Sequence, residues 1–458
     1  MKPVTLLSLL SMSRDNFGSR FGALVAMAGS AVGLGNLWRF PYLVGENGGA
    51  AFIIIYIALS FLICLPIFVS EFVVGRRSQK NAFAAFRDLS GGSNWKWVGL
   101  FTVIVPLVVL SYYSVIGGWS CEYLLKALTF SFTSAQSQAG VSTMFSDFVS
   151  NPWMPLIGHT VFLAFTALIV LVGIKDGIEK FSKVMMPLLF IIVLAIAIYS
   201  LTLPGAREGV NYLFRPDFSK IDAKACAAAL GQAFFSLSLG FGPIMTYASY
   251  VDKKENILSQ SATTAISDLT FALIAGLAIM PAVFAFGIDP QSGPGLVFET
   301  LPFVFGRMPA GGVIAVLFFL ALLVAALTSS ISMLEVAVAY LTEEKRLSRR
   351  TSCAILFAIC WVIGAICSLS FGPLSDVRIF GQGIFDALDS FSSNVLMTLG
   401  SLFTVIFVGW RLKKTDIYDE FTNGGSLRAN VKIFGILWFL IRYICPVAVA
   451  VIFLLGIL

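Results

Sequence analysis

With 458 residues, of which 58% are hydrophobic and 12% charged, and a mean hydropathy of +0.89, the chain lies far from the roughly 25% charged composition of soluble domains. It reads as an all-α polytopic membrane protein. The formal charge of +6 does not point to nucleic acid, because the basic residues gather in short segments between apolar runs, which is the topology signal of cytoplasmic loops. The cysteines mostly sit inside apolar runs without metal-type spacing, and the single histidine, His159, opens a spanning segment. Both read as packing residues. No nucleophile and base pair, metal cluster or phosphate-binding loop points to an enzyme or an ATP-driven pump.

A window of about 19 residues places eleven spans at 18–42, 50–75, 97–127, 156–173, 184–203, 225–250, 262–287, 309–341, 352–370, 380–411 and 430–457. Lysine and arginine fall on alternate sides: Arg14 and Arg20, Arg76 to Arg87, Lys175 to Lys183, Lys253 and Lys254, Lys345 to Arg350, and Arg411 to Lys414 share one side, whereas 128–155 has none. The N-terminus is therefore expected in the cytoplasm and Leu458 outside, in a multi-pass protein of a bacterial plasma (inner) membrane. Met1 to Phe17 is not followed by a small-residue cleavage site, so no removable leader is expected. The chain is expected to form one transmembrane domain, with 128–155, 205–224 and 288–308 as its outer connections. The last of these holds a turn-rich Asp289-Pro-Gln-Ser-Gly-Pro-Gly295.

Span 1 contains Gly29-Ser-Ala-Val-Gly-Leu-Gly-Asn36. Each glycine weakens a helix by about 1 kcal/mol relative to alanine, and broken backbone at bilayer depth survives only around a protein-lined cavity. Span 6 is interrupted in the same way by Ser236-Leu-Ser-Leu-Gly-Phe-Gly242. Five spans separate the two, so the second copy enters the membrane inverted. Such a pair is the known sequence sign of an alternating-access transporter with its site near the midplane. An ion channel would need repeated polar rings along a pore, which two broken helices do not supply.

These residues, with Arg14-x-x-Phe17-x-Ser-Arg20-Phe-Gly22, Asn36-Leu-Trp-Arg39-Phe-Pro41, Glu46-Asn-Gly-Gly49, Gln232-Ala-Phe-Phe, Leu327-Thr-Ser-Ser330 and Asp386-x-x-Asp389, resemble the neurotransmitter:sodium symporter family, in its bacterial amino-acid branch with eleven spans. The resemblance implies the LeuT fold, a 5+5 inverted repeat (about 18–203 and 225–411, with an extra helix at 430–457) in which spans 1 and 6 are unwound.

It also implies a site. One sodium ion would be held by the Ala31 carbonyl, Asn36, Ser236, the substrate's own carboxylate and either Ser267 or Asp268, and a second by the carbonyls of Gly29, Val32 and Ala325 with the hydroxyls of Thr328 and Ser329. Hard oxygen ligands suit such a cation; taken alone, those two hydroxyls would read as back-bonded to their own helix. Gly33 stands where amine-transporting relatives carry aspartate, so the substrate must bring its own carboxylate. This implies an amino acid whose carboxylate meets the Leu34 and Gly35 amides at a helix start and the Tyr113 hydroxyl. Its ammonium would face the carbonyls of Ser30, Phe235 and Ser236. Val109, Tyr113, Phe235, Ser238, Phe241, Ser329 and Met333 would line an apolar side-chain pocket, for an aliphatic or aromatic residue. Arg39 and Asp389 would form an outer gate above Phe235. Arg14 and Glu343, with Phe17 and Tyr250, would form an inner one. Asp268 would stand in for the chloride of other relatives, with Tyr56, Gln232, Ser236 and Ser267 around it, so no chloride is expected. Glu71 and Glu335 read as buried structural acids, and Gly177 with Pro187 either as an unwinding element of span 5 or as an ordinary loop glycine and tolerated proline. The expected partners are a small amino acid, sodium and membrane lipid. The competing reading is an amino-acid receptor on a transporter scaffold, which binds without net transport.

Overall fold

The computed structural model describes residues 16–134, 138–288 and 293–457. Among them nine helices are long and apolar enough to cross a membrane: Ala50–Ser78, Lys96–Leu128, Met154–Val172, Ile174–Leu201, Ile257–Ala285, Gly311–Glu343, Arg349–Leu369, Ile384–Arg411 and Arg428–Gly456. Two broken helices complete the set. Arg20–Ala31 and Gly35–Glu46 are bent by 45° about residues 32–34, and Ala223–Ser236 and Pro243–Ala248 flank the irregular stretch 237–242. Counted in chain order these are spans 1 to 11.

Local chemistry sets the ends. Ser19, Asp222, Asn256 and Ser348 each accept a hydrogen bond from a backbone N–H in the first turn that follows, starting spans 1, 6, 7 and 9. The break in span 6 follows from its sequence: Gly240 and Gly242 adopt φ of 86° and 94°, and Ser238 is held at 55°, a left-handed conformation that costs a non-glycine residue about 1 kcal/mol. Span 5 begins about ten residues earlier than its apolar run suggests. Its first turns, Ile174–Glu179, are π-helical, and Gly177 allows them to pass the Ile169 carbonyl, which a Cβ would approach to 2.3 Å.

The expected tenth span is shortened by a two-stranded hairpin, Arg378–Ile379 with Gln382–Gly383. Short helices in the connections, Ala82–Leu89, Gln138–Ser150, Ala206–Phe214, Thr300–Arg307 and Lys414–Thr422, pack on the ends of the spans. All seven cysteines are free. His159 is buried, its Nε2 at 3.3 Å from the Trp361 carbonyl. Most of the turn expected at 289–295 lies outside the described residues.

Candidate functional site

The two breaks meet. Ser238, in the break of span 6, donates to the Ser30 carbonyl at 2.7 Å, and Ser329 on span 8 reaches the same carbonyl at 3.2 Å. Between them lies a narrow cavity of about 10 Å³, lined by Ser30, Ala31, Gly33, Leu34, Gly35, Tyr113, Phe235, Ser238, Phe241, Ser329 and Met333. Not one of these side chains is ionised at neutral pH. Of the residues expected at the substrate, Val109 is buried one helical turn before Tyr113, and Ser236 turns toward span 7 instead. The Leu34 amide donates to the Tyr113 hydroxyl at 3.4 Å, a long bond. Gly33 leaves no room for a side chain, since a Cβ would stand 2.3 Å from Ser329 Oγ and 3.3 Å from the Tyr113 hydroxyl.

Beside this cavity Asn36, Ser236 and Asp268 form one buried cluster. Asn36 Nδ2 donates to Asp268 Oδ1 at 2.8 Å and to Ser236 Oγ at 3.1 Å, and Ser236 donates to Asp268 Oδ1 at 2.8 Å. Tyr56 donates to the other carboxylate oxygen at 3.3 Å. Gln232 donates to the Gly35 carbonyl at 2.8 Å, which holds the break of span 1 against span 6. Ser267 does not join the cluster. One residue along a helix turns the side chain by about 100°, and that step leaves Ser267 half-buried on another face of span 7. Of the two residues, Asp268 is the one whose carboxylate faces Asn36 and Ser236.

The second oxygen cluster also assembles. Thr328 donates to the Ala325 carbonyl at 3.0 Å and stands 3.5 Å from that of Val32, while Ser329 stands 3.5 Å from that of Gly29. The Thr328 hydroxyl thus back-bonds to its own helix and also reaches toward span 1. The donor set is neutral and made only of oxygen, which fits a hard monovalent cation better than a transition metal. Met186, one residue before Pro187 of span 5, borders it from the other side, its Sδ 3.2 Å from where a Cβ on Gly29 would be.

The bundle is packed on both sides of the cavity. On one side the Arg39 guanidinium lies 5.2 Å from the centre of the Phe235 ring, a cation–π contact. Arg39 and Asp389 form no direct ion pair among the described residues. On the opposite side Phe17 sits edge-on to Tyr247 and Tyr250, at ring separations of 5.7 and 6.2 Å. Arg14 lies outside the described residues. Glu343 accepts from the backbone and side-chain N–H groups of Asn81, both at 2.9 Å.

Three contacts here join partners that the sequence does not pair. Glu179 at the start of span 5 accepts from the Gly18 amide at 2.6 Å and the Ser19 hydroxyl at 2.8 Å, and so latches the first turn of span 1. Arg20 pairs with Glu255 at 3.0 Å. Glu335 accepts from the Tyr250 hydroxyl at 2.9 Å and is paired with Arg349. Glu71, assigned a structural role, accepts the Gly240 amide at 2.6 Å and fixes the break of span 6.

With the geometry in place, the likeness to known proteins is informative. The sequence profile described as the sodium:neurotransmitter symporter family matches residues 14–147 and 140–458. An uncharacterised sodium-dependent transporter of Bacillus subtilis, YhdH, is 41% identical over 445 residues, covering 96% of this chain and 98% of its own. A second, from Haemophilus influenzae, is 36% identical over 452 residues with the same coverage. The crystal structure of MhsT in complex with L-phenylalanine matches with a TM-score of 0.89 and 42% identity, over 97% of this chain and 100% of that one. A multi-pass helical bundle with two facing breaks, a match along nearly the whole chain and relatives named as sodium-dependent transporters lead to one conclusion: the chain belongs to the sodium:neurotransmitter symporter family.

Proposed function

We propose that the protein is a sodium-coupled symporter that imports a neutral hydrophobic amino acid, aliphatic or aromatic, by alternating access, without chloride. The observation that carries this reading is the cavity at the breaks: it has no ionised side chain, yet it is bordered by Leu34 and Gly35, where the helix restarts after the break, and the Leu34 amide is held only by a long 3.4 Å bond to the Tyr113 hydroxyl. A substrate placed there brings both charges itself. Its carboxylate takes the amides and the Tyr113 hydroxyl, and its ammonium competes with the Ser238 and Ser329 hydroxyls for the Ser30 carbonyl. The apolar remainder, Phe235, Phe241 and Met333, takes an apolar side chain. The L-phenylalanine held by MhsT in its crystal structure is in keeping with this substrate class.

In this reading two sodium ions travel with the substrate. One takes the Ala31 carbonyl, Asn36, Ser236 and Asp268, where the fixed carboxylate supplies the negative charge that an anion would otherwise bring. The other takes the carbonyls of Gly29, Val32 and Ala325 with Thr328 and Ser329. Each positive charge moved through the membrane potential yields about 2.3 kcal/mol per 100 mV, which drives accumulation. Arg39 on Phe235, with Asp389, closes the outer side, and Phe17 between Tyr247 and Tyr250, with Arg14 and Glu343, the inner. Contacts as weak as exposed ion pairs, about 0 to 1 kcal/mol, suit gates that reopen in every cycle. The inverted repeats are assigned to 18–203 and 225–411, with the N-terminus in the cytoplasm of a bacterial cell and the C-terminus outside.

The test is equilibrium binding in sodium and in choline buffer of L-phenylalanine or L-leucine against the corresponding amines that lack the carboxylate. Sodium-dependent binding of the acids alone is expected. Binding of the amines with comparable affinity would overturn the role given to Gly33.

A further inference from the structure

A second and larger concavity lies away from the substrate cavity. It sits between span 2, span 7, the half of span 1 that follows the break, and the loop helix Ala206–Phe214, and its volume is about 200 Å³. Its whole lining is apolar, including Phe40, Ile54, Ile57, Phe214 and Leu277. The mouth faces the membrane: Ile54 is 45% and Phe214 61% exposed. Ile54 and Ile57 lie four and seven residues inside the start of span 2 at Ala50, so the groove runs from near the membrane surface to about 10 Å below it at about 1.5 Å per residue. The medium at that depth is hydrocarbon. At the surface end Arg215, the residue after Phe214, is exposed, and its guanidinium has no hydrogen bond or ion pair among the described residues. The neighbouring Asp217 is engaged by the amide and hydroxyl of Ser219, at 3.1 and 2.6 Å.

We propose that this groove holds one acyl chain of a membrane phospholipid, with the lipid phosphate on Arg215, and that the chain braces the ion site. A concave apolar lining gives a flexible hydrocarbon chain more close contacts than the flat lipid-facing side of a single helix does. The exposed Arg215, one residue beyond the lining residue Phe214, supplies the charge that selects a phospholipid over a neutral lipid. The link to the ion site runs through two side chains. Phe40, on the groove floor, packs on Tyr56 at a ring separation of 5.1 Å, and the Tyr56 hydroxyl donates to Asp268. Tyr212 of the loop helix fastens the same half of span 1 by donating to the Gly45 carbonyl at 2.7 Å. The lipid site stands on the groove and Arg215; its effect on sodium rests on the assignment of Asp268 made above.

The experiment uses the full chain in nanodiscs that contain phosphatidylglycerol with a photoactivatable group in its acyl chain, and maps the labelled peptides by mass spectrometry. Labelling at 53–57 and 273–277 is expected to exceed that on the lipid face of span 4, where Val161 and Leu168 are 40% and 57% exposed, by about tenfold, the preference that two further buried methylenes give. Gly276→Phe fills the groove, since a Cβ there meets nothing nearer than Leu213 Cδ2 at 3.6 Å and Phe40 Cε1 at 4.0 Å. It is expected to abolish the excess, and Arg215→Gln, at a site exposed enough to spare the fold, to reduce it. Equal labelling of span 4, or an excess that survives both variants, would overturn the site. The half-saturating sodium concentration for amino-acid binding, measured with and without added phosphatidylglycerol, tests the brace. It is expected to fall severalfold with lipid in the wild type and not in Gly276→Phe, and no change in the wild type would overturn the brace. A wild type that binds amino acids without sodium at all would instead remove the assignment of Asp268, and the labelling result would stand by itself.

Discussion

Replacing Asp268 by asparagine keeps the volume of the side chain and removes its charge. In the structure Asp268 Oδ1 is 2.8 Å from both Asn36 Nδ2 and Ser236 Oγ, the two side chains proposed to hold sodium together with it, so an ion on those ligands stands within about 4 Å of the carboxylate charge. Two unit charges at about 4 Å interact by about 4 kcal/mol at an effective dielectric of about 20. The amide oxygen of asparagine recovers part of this through its dipole, and about half, or about 2 kcal/mol, remains as the loss. That corresponds to roughly 30-fold weaker sodium binding. The assay is equilibrium binding of radiolabelled L-phenylalanine across a sodium titration, in gluconate salts and again in chloride. Asp268→Asn should need about 30-fold more sodium in gluconate, and chloride should recover part of the loss by supplying the missing negative charge. A half-saturating sodium concentration within about twofold of the wild type would refute the assignment.

Other consequences follow from the same geometry. Wild-type uptake should be unchanged when chloride is replaced by gluconate, and a loss of uptake would contradict the role of the fixed carboxylate. Gly33→Asp should abolish amino-acid binding while leaving the protein monodisperse, because its Cβ would fall 2.3 Å from Ser329 Oγ and its charge would oppose the substrate carboxylate; retained binding would remove Gly33 from the site. Gly240→Ala should lower stability by about 3 kcal/mol or more, read as a fall in thermal unfolding temperature in detergent, since its Cβ would meet the Met397 carbonyl at 1.9 Å at a φ of +86°. Glu71→Ala should cost about 1 to 3 kcal/mol by orphaning the buried Gly240 amide, with Glu71→Gln much closer to the wild type in the same melt.

The breaks and their neighbours are legible in the sequence because glycines and small polar residues in the middle of a spanning run have few structural excuses. The stretch 29–36 and the stretch 236–242 therefore mark the cavity without any coordinates, and the run Leu327-Thr-Ser-Ser330 marks its third wall. Span ends are less legible where polar residues continue a helix past its apolar run, as in span 5, which starts at Ile174. The choice between Ser267 and Asp268 needs the rotation of span 7 about its own axis, which no window of hydropathy fixes to one residue. The latch from Glu179 to Gly18 and Ser19 joins positions about 160 apart in sequence, and its local pattern, an acid four residues before Lys183, looks like an ordinary helical ion pair. Arg76 reads in the sequence as one more cytoplasmic charge. It is instead buried and bound to Glu420 at 2.6 Å and to the Glu255 carbonyl, joining the end of span 2 to two connections that share no sequence signal with it.

The central claim is that sodium entry drives the accumulation of an amino acid. It is tested most directly by uptake of radiolabelled L-phenylalanine and L-leucine into proteoliposomes under an inward sodium gradient, with an equal potassium gradient as the control. The account predicts uptake above the external concentration in sodium alone, which collapses when an ionophore dissipates the gradient. Sodium-dependent binding that never rises above equilibration would contradict it and would leave a receptor built on this scaffold.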